Sequence, residues 1–387
     1  MYNILTLNKI AKTGLNQFDY NYSISDNNEN PDAILLRSFS LHDMEFKENL
    51  LAVARAGAGV NNIPIDSCSE NGIAVFNTPG ANSNAVKELV LAGLLLSSRK
   101  VIDGIEWVKS LADKSEDVQK SVEKGKSAFS GPEILGKKLG VIGLGAIGIL
   151  VANSAIRLGM KVYGYDPYIS VDSAWGLSSS VKHVTSLDEI FSECDYITVH
   201  VPLTDSTKNM INKYSIEKMK DGARILNFSR AGLVNSTDII SALQSKKLSC
   251  YVTDFPTNDI LGIDGVVAIP HLGASTPESE ENCAYMAAKE LIEYLENGNI
   301  KNSVNMPNIS MPRESDVRLC VIHRNIPNMI GSISNILSNE KINIENMQSK
   351  SKGEYAYAIF DLNSTVSENA LAYIKNIEGV IRTRVIE

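Results

Sequence analysis

Over the first hundred positions apolar residues gather in short runs at 4–7, 33–36, 51–54 and 73–76, with helix-like stretches between them. Such alternation predicts βαβ units and a parallel sheet, because a parallel crossover needs a connection of about helix length. From 85 to 111 the period becomes helical, with Val86, Leu89, Val90, Gly93 and Leu94 on one face. One long helix that leaves one domain and enters another is expected there. The polar stretch 114–126 then reads as an exposed connector.

Alternation resumes with strands expected at 139–143, 161–165, 195–201, 223–228, 250–253 and 266–269. Six strands with intervening helices suit a doubly wound α/β domain of Rossmann type. The next helix is signalled by Thr276 as N-cap, Pro277 at its first position, Glu278 and Glu280 in its first turn and Gly298 past its end. After Pro307 and Pro312 the order becomes strand 317–323, helix 329–338, strands 344–350 and 355–362, helix 368–375 and strand 380–386. That βαββαβ order predicts a ferredoxin-like module. The expected domains are 1–98 with 283–306, then 99–282, then 317–387.

Bulk properties narrow the function. A chain of 387 residues is long enough for two or three domains. A net charge of -8 argues against nucleic acid as the main partner, since phosphate backbones demand clustered cations. Cys68, Cys194, Cys250, Cys283 and Cys320 include no C-x-x-C pair, so neither a metal site nor a disulfide framework is expected. The start of the chain lacks the marks of a signal peptide, which makes the cytoplasm the expected compartment. The longest apolar run, 139–152, is shorter than the roughly 20 residues that cross a bilayer, so no membrane span is expected.

That run carries the clearest chemical signal. Leu139-Gly-Val-Ile-Gly-Leu-Gly-Ala-Ile-Gly148 sets Gly143, Gly145 and Gly148 as G-x-G-x-x-G between an apolar strand and an apolar helix. Such a turn lets backbone N–H groups and the positive end of the helix approach a pyrophosphate. Asp166 ends the next strand at the distance expected of an acid that binds the adenosine ribose hydroxyls. A carboxylate there would repel a 2′-phosphate, so NAD is expected rather than NADP.

Two further motifs follow strands. In Asn227-Phe-Ser-Arg-Ala-Gly-Leu-Val234, Arg230 offers a planar fork for a substrate carboxylate, although alone it would also suit a surface ion pair. In Ile269-Pro-His-Leu-Gly-Ala-Ser-Thr276, His271 has the chemistry to take a hydroxyl proton near neutrality, although a lone His there would also suit a cap. Together with the glycine motif and Asp166, these segments resemble the D-2-hydroxyacid dehydrogenases over nearly the whole chain.

The resemblance implies a Rossmann-type NAD domain, a flavodoxin-like substrate domain and a small anionic 2-hydroxy or 2-keto acid as substrate. It implies that Arg230 binds the carboxylate and polarises the carbonyl, and that His271 is the general acid/base. The family's Glu partner of the His has no direct match. Val252-Thr-Asp-Phe-Pro-Thr-Asn-Asp259 is shorter than usual, and Asp259 is the expected partner of His271, while Asp254 resembles the aspartate that bonds the nicotinamide carboxamide. Ala231 replaces the usual glycine after the Arg. By the same resemblance Ala146, Ile147, Pro167, His200, Val201, Pro202, Thr207, Phe228, Ser229, Gly273 and Ala274 complete the cofactor site.

Arg55-Ala-Gly-Ala-Gly-Val-Asn-Asn62 is similar to the family's substrate loop, whose glycines free N–H groups for a carboxylate. Arg55, Ala58, Gly59 and Val60 are its expected contacts, with Ser38 and Asn77 beside them, and Arg55 favours a phosphorylated acid. A structural turn with Arg55 as a surface charge fits the same residues.

The last seventy residues resemble an ACT domain, a module that binds amino acids between its own copies. His323-Arg-Asn-Ile-Pro-Asn328 is similar to its H-x-N-x-P-G turn, and the resemblance implies His323, Asn325 and Asn343 as holders of an L-serine effector. It also implies a homodimer or homotetramer. Two alternatives stay open: another D-2-hydroxyacid, of hydroxypyruvate or glyoxylate type, and a non-catalytic NAD-sensing protein.

Overall fold

The protein was described from a computed structural model that covers residues 1–112 and 117–387. These residues form two compact units, one of Met1–Asn82 with Pro277–Glu387 and one of Ser83–Thr276. The division falls at 82/83 and 276/277 rather than at 98/99 and 282/283. Each bordering helix gives its apolar face to one core: Val86, Val90 and Leu94 to the second unit, and Ala284, Ala287 and Leu291 to the first.

In the first unit β1 (Tyr2–Leu7), β2 (Tyr22–Ser25), β3 (Ala33–Leu36), β4 (Ala52–Arg55) and β5 (Ala74–Asn77) form a parallel sheet of order β2-β1-β3-β4-β5. Its central strands are apolar at successive positions because both faces are covered. Ala33 and Leu35 enter one core and Ile34 and Leu36 the other, the twofold alternation of a strand. β2 was not expected; it is an edge strand in which only Tyr22 is buried.

The second unit holds β6 (Lys138–Ile142), β7 (Lys161–Tyr165), β8 (Lys182–His183), β9 (Tyr196–Val199), β10 (Ala223–Asn227), β11 (Leu248–Thr253) and β12 (Val266–Ala268). Their order is β12-β11-β10-β9-β6-β7-β8, all parallel, with the two-residue β8 added to the six strands anticipated. The chain winds outward both ways from β6, which opens a crevice at the carboxyl ends of β6 and β9.

The long helix anticipated over 85–111 is two helices, Ser83–Ser98 and Val101–Lys109. Ser97 and Ser98 both donate their hydroxyls back to the Leu94 carbonyl, which competes with the helical ladder where it stops. Of the anticipated connector, residues 114–116 lie outside the described residues. Its later part is the helix Val118–Gly125, capped by the Asp117 carboxylate.

In the C-terminal module β13 (Val317–Arg324), β14 (Ile344–Lys352), β15 (Tyr355–Leu362) and β16 (Val380–Ile386) form an antiparallel sheet of order β14-β15-β13-β16. Two helices, Met329–Asn339 and Glu368–Lys375, share one core with Leu319, Val321 and Phe360. The opposite face, with Cys320, Ile322, Tyr357 and Ile359, merges into the core that Leu291, Tyr294 and Leu295 build beneath the first sheet.

Polar side chains fasten the same junction. Arg318 and Asp361 are fully buried and paired bidentately, at 2.6 and 2.9 Å. Arg318 also donates to the carbonyls of Asn297 (2.7 Å), Met311 (3.0 Å) and Pro312 (2.9 Å). Removing the guanidinium strands a buried carboxylate and three carbonyls, so Arg318→Leu is expected to cost about 3–5 kcal/mol of stability in urea titration. Replacing both partners with leucine should restore part of the loss. A single variant within about 0.5 kcal/mol of wild type, the range of ordinary surface changes, would refute this account.

Candidate active site and cofactor cradle

The glycine motif turns where β6 gives way to the helix Ala146–Arg157. Gly143 has φ +92°, and a Cβ there would come within 2.6 Å of the His200 carbonyl oxygen. At Gly148 a Cβ would overlap the Gly143 carbonyl oxygen. Gly145 precedes the helix without a side-chain cap, and a Cβ there would meet no atom within 4 Å. The first N–H groups of the helix, beginning with Ala146 and Ile147, therefore face open space, a shape and polarity that fit a pyrophosphate.

Asp166 ends β7, as the motif requires. Its Oδ2 accepts from the Leu144 N–H and its Oδ1 from the Tyr168 N–H beyond Pro167, both at 2.8 Å. It thus braces the glycine turn, and each oxygen keeps a lone pair for a ribose hydroxyl. Beyond β9, His200 Nε2 pairs with Thr198 Oγ1 at 2.9 Å while its buried Nδ1 lacks a protein partner. Burial pushes the His200 imidazole down to about 4 and keeps it neutral. Val201 begins the following loop, which Thr207 closes by donating to the Pro202 carbonyl at 2.6 Å.

The turn after β10 is built by Asn227. Its buried amide donates to the Arg230 carbonyl (2.9 Å) and accepts from the Ser229 N–H (3.2 Å), while the Ser229 hydroxyl donates to Val199 O (2.8 Å). Arg230 is left exposed, with one guanidinium nitrogen on Ser229 O. The Phe228 ring lies in the core over Gly93, where a Cβ would be 2.8 Å from it.

Phe255, which the sequence reading did not single out, joins the two catalytic candidates. Its ring centroid lies 4.4 Å from that of His271, and the Arg230 guanidinium sits over it at 5.7 Å. Arg230 follows β10, Phe255 follows β11 and His271 follows β12, so neighbouring carboxyl ends bring the three together.

Asp259 does not pair with His271. It is exposed, and its carboxylate accepts from the hydroxyls of Thr257 and Ser236, which hold its pKa down. Those bonds commit it to Thr257 in its own turn and to Ser236 at the start of the helix Ser236–Gln244. Asp254 is 1% exposed and lies against the backbone of Gly273, which precedes Ala274. Burial raises its pKa, opposed first by His271 and then by the Gly273 N–H and Arg230.

In the first unit, the anticipated substrate residues lie at or just past the carboxyl ends of β3, β4 and β5. Arg55 Nε donates to Arg37 O at 2.8 Å and a terminal nitrogen donates to Gly59 O, while Asn77 Nδ2 donates to Ala58 O at 2.6 Å. Both side chains hold the loop that continues through Val60. Asn8, in a left-handed conformation, accepts from the N–H groups of Ser38 (2.9 Å) and Phe39 (2.7 Å). Arg37, also absent from the expectations, pairs with Glu280 at 2.7 Å.

The C-terminal module has a cavity of about 330 Å³ lined by His323, Asn325, Asn328, Met329 and Lys350 among others. His323 Nδ1 donates to the Arg324 carbonyl (2.7 Å), so Nε2 is an acceptor, and it is buried without a protein partner. Asn328 occupies the left-handed position (φ +68°) that asparagine tolerates better than other side chains. Asn343 is not among the lining residues; its amide turns to Glu345.

The model of the D-isomer specific 2-hydroxyacid dehydrogenase NAD-binding domain matches residues 101–273. D-3-phosphoglycerate dehydrogenase of Haemophilus influenzae is 32% identical, covering 98% of this chain and 94% of that one. The Escherichia coli K12 enzyme of the same name is 33% identical over 88% of this chain and 82% of its own. Among solved structures, NAD+-bound 3-phosphoglycerate dehydrogenase of Entamoeba histolytica aligns with a TM-score of 0.59 at 25% identity, covering 79% of this chain and 98% of that one. The chain belongs to the D-isomer-specific 2-hydroxyacid dehydrogenases, and it is an NAD-dependent oxidoreductase acting on a CH–OH group.

Gly148→Ala should abolish NADH binding, because the added methyl must displace the Gly143 carbonyl and with it the whole turn. Fluorescence titration checks this, and retention of binding within about tenfold of wild type, or 1.4 kcal/mol, would contradict the close-approach argument.

Proposed function

We propose that the enzyme is a D-3-phosphoglycerate dehydrogenase that oxidises 3-phospho-D-glycerate to 3-phosphohydroxypyruvate, a step towards L-serine. The observation that carries the reading is the meeting of Arg230 and His271 on the Phe255 ring, at the same carboxyl edge of the sheet from which the glycine turn leaves. The names of the relatives at 32% and 33% identity select the substrate.

When bound, NAD supplies the acceptor for the hydride that leaves the carbinol carbon. Arg230 is suited to bind the substrate carboxylate through its fork and to polarise the adjoining carbonyl oxygen as it forms. His271 takes the hydroxyl proton at a ring nitrogen and returns it in the reverse direction. The cofactor carboxamide falls to Asp254, and the substrate loop contributes the N–H of Gly59, that of Gly57 being held by the Arg55 carbonyl at 2.8 Å. Arg55, which holds that loop, adds positive charge for a phosphate.

NADH consumption followed by absorbance, over a panel of 2-keto acids, tests this. Wild type should favour 3-phosphohydroxypyruvate over hydroxypyruvate and glyoxylate by at least about tenfold in kcat/KM. His271→Asn should lower kcat by roughly 10²–10⁴-fold. Preference for an unphosphorylated acid would make the enzyme a different member of the family, and NADH binding without turnover of any acid would favour a sensor.

The C-terminal module supports a regulatory role of ACT type, with L-serine as effector. A neutral imidazole with a free acceptor nitrogen suits an ammonium group, and Lys350 with the helix start at Met329 suits a carboxylate. Turnover should fall as L-serine is raised and should fall less in Asn325→Ala. A flat response through the millimolar range would remove serine from the proposal.

A further inference from the structure

A general base that becomes charged during turnover needs a fixed counter-charge, and in this chain the carboxylate expected to supply it is committed elsewhere. Asp259 is exposed and bonded to the hydroxyls of Thr257 and Ser236. Asp254, by contrast, stands one residue beyond the buried Thr253 that ends β11. Its carboxylate is 1% exposed, Oδ1 has no protein partner, and Oδ2 lies 3.3 Å from where a Gly273 Cβ would stand. The next residue is aimed by a local bond: the Phe255 N–H donates to Thr253 Oγ1 at 3.0 Å, and the Phe255 ring then packs on His271.

We infer that Asp254 is the positioning residue of His271: it supplies the negative charge that stabilises the imidazolium formed as the substrate proton is taken, while Phe255 fixes the ring's plane. The inference rests on the reaction proposed above and replaces the acid partner that the shortened 252–259 segment lacks.

The electrostatic surroundings favour this arrangement. The charges that act on Asp254 are His271 and Arg230, and the phenol of Tyr251, further back on β11, feels both Asp254 and Asp259. Burial of an ionised carboxylate is costly, and here the compensation comes from His271, Arg230 and the N–H of Gly273. Asp254 can serve as a counter-charge only in its ionised form. Burial and existing bonds separate the two carboxyl groups: Asp254 is buried with an unpartnered oxygen, whereas Asp259 is exposed and already bonded to Thr257 and Ser236.

The test reads His271 directly and needs no substrate. Imidazole resonances are titrated by NMR, and five histidines are few enough for His271→Asn to assign the signal. In Asp254→Asn the His271 midpoint should fall by about one pH unit, the lower end of the effect of a nearby opposite charge. It should be unchanged in Asp259→Asn, and Asp254→Glu should restore most of the wild-type midpoint. The low-pH limb of kcat/KM for oxidation should move with it, because the neutral imidazole is the active form.

An unchanged His271 midpoint in folded Asp254→Asn overturns the inference, whatever the enzyme's substrate proves to be. Weaker NADH binding in that variant with both the midpoint and the pH limb unmoved would also overturn it and leave Asp254 a cofactor contact alone. Should Asp254→Asn not fold, the wild-type protein decides: the Asp254 carboxyl carbon must show an inflection at the His271 midpoint, and its absence refutes the coupling.

Discussion

Parallel strand pairing in the second unit governs nearly everything else described. Since all seven strands run the same way, their carboxyl ends share one edge, and the candidate residues stand in the segments that leave it. Gly143 follows β6, Asp166 follows β7, His200 follows β9, Arg230 follows β10, Asp254 follows β11 and His271 comes shortly after β12. Residues up to 128 positions apart in the chain, from Gly143 to His271, thus become neighbours in a row without any long loop reaching across. The apolar runs that identify the strands and the polar residues that do the chemistry are two aspects of one arrangement, since a strand buried on both faces can only show its functional groups where it ends.

Much of this was legible in the sequence, and the misses are physically specific. Long apolar runs mark central strands, and the glycine spacing marks the turn because steric overlap excludes a side chain at Gly143 and Gly148. β2 escaped because an edge strand has little to bury. The helix break near Arg99 escaped because two serine hydroxyls, not a proline or glycine, end the ladder. The expectation for Asp259 rested on order along the chain, which shows neither that Asp254 is buried nor that hydroxyl neighbours already occupy Asp259. Phe255 left no mark in any motif, since its part depends on the Thr253 turn that aims it.

The substrate loop shows the same limit in another form. Arginine and asparagine in a glycine-rich segment read as ligand contacts, and here both also build the loop, with Arg55 on Gly59 and Asn77 on Ala58. A residue that shapes a backbone N–H cradle and one that touches its occupant have the same composition in sequence. Asn343, by contrast, lies on the right module but turns its amide to Glu345, away from the cavity that His323 and Asn325 line.

The C-terminal sheet is committed on both faces. One is closed by its own two helices and the other is continuous with the core under Leu291 and Tyr294, with Arg318, Tyr357 and Arg384 bonded to carbonyls across the seam. A regulatory module joined by a bare tether can be exchanged between enzymes like a cassette, leaving the host intact. Here transplantation would carry away part of a shared interior, so the C-terminal module and the domain it adjoins stand or fall as one packed body.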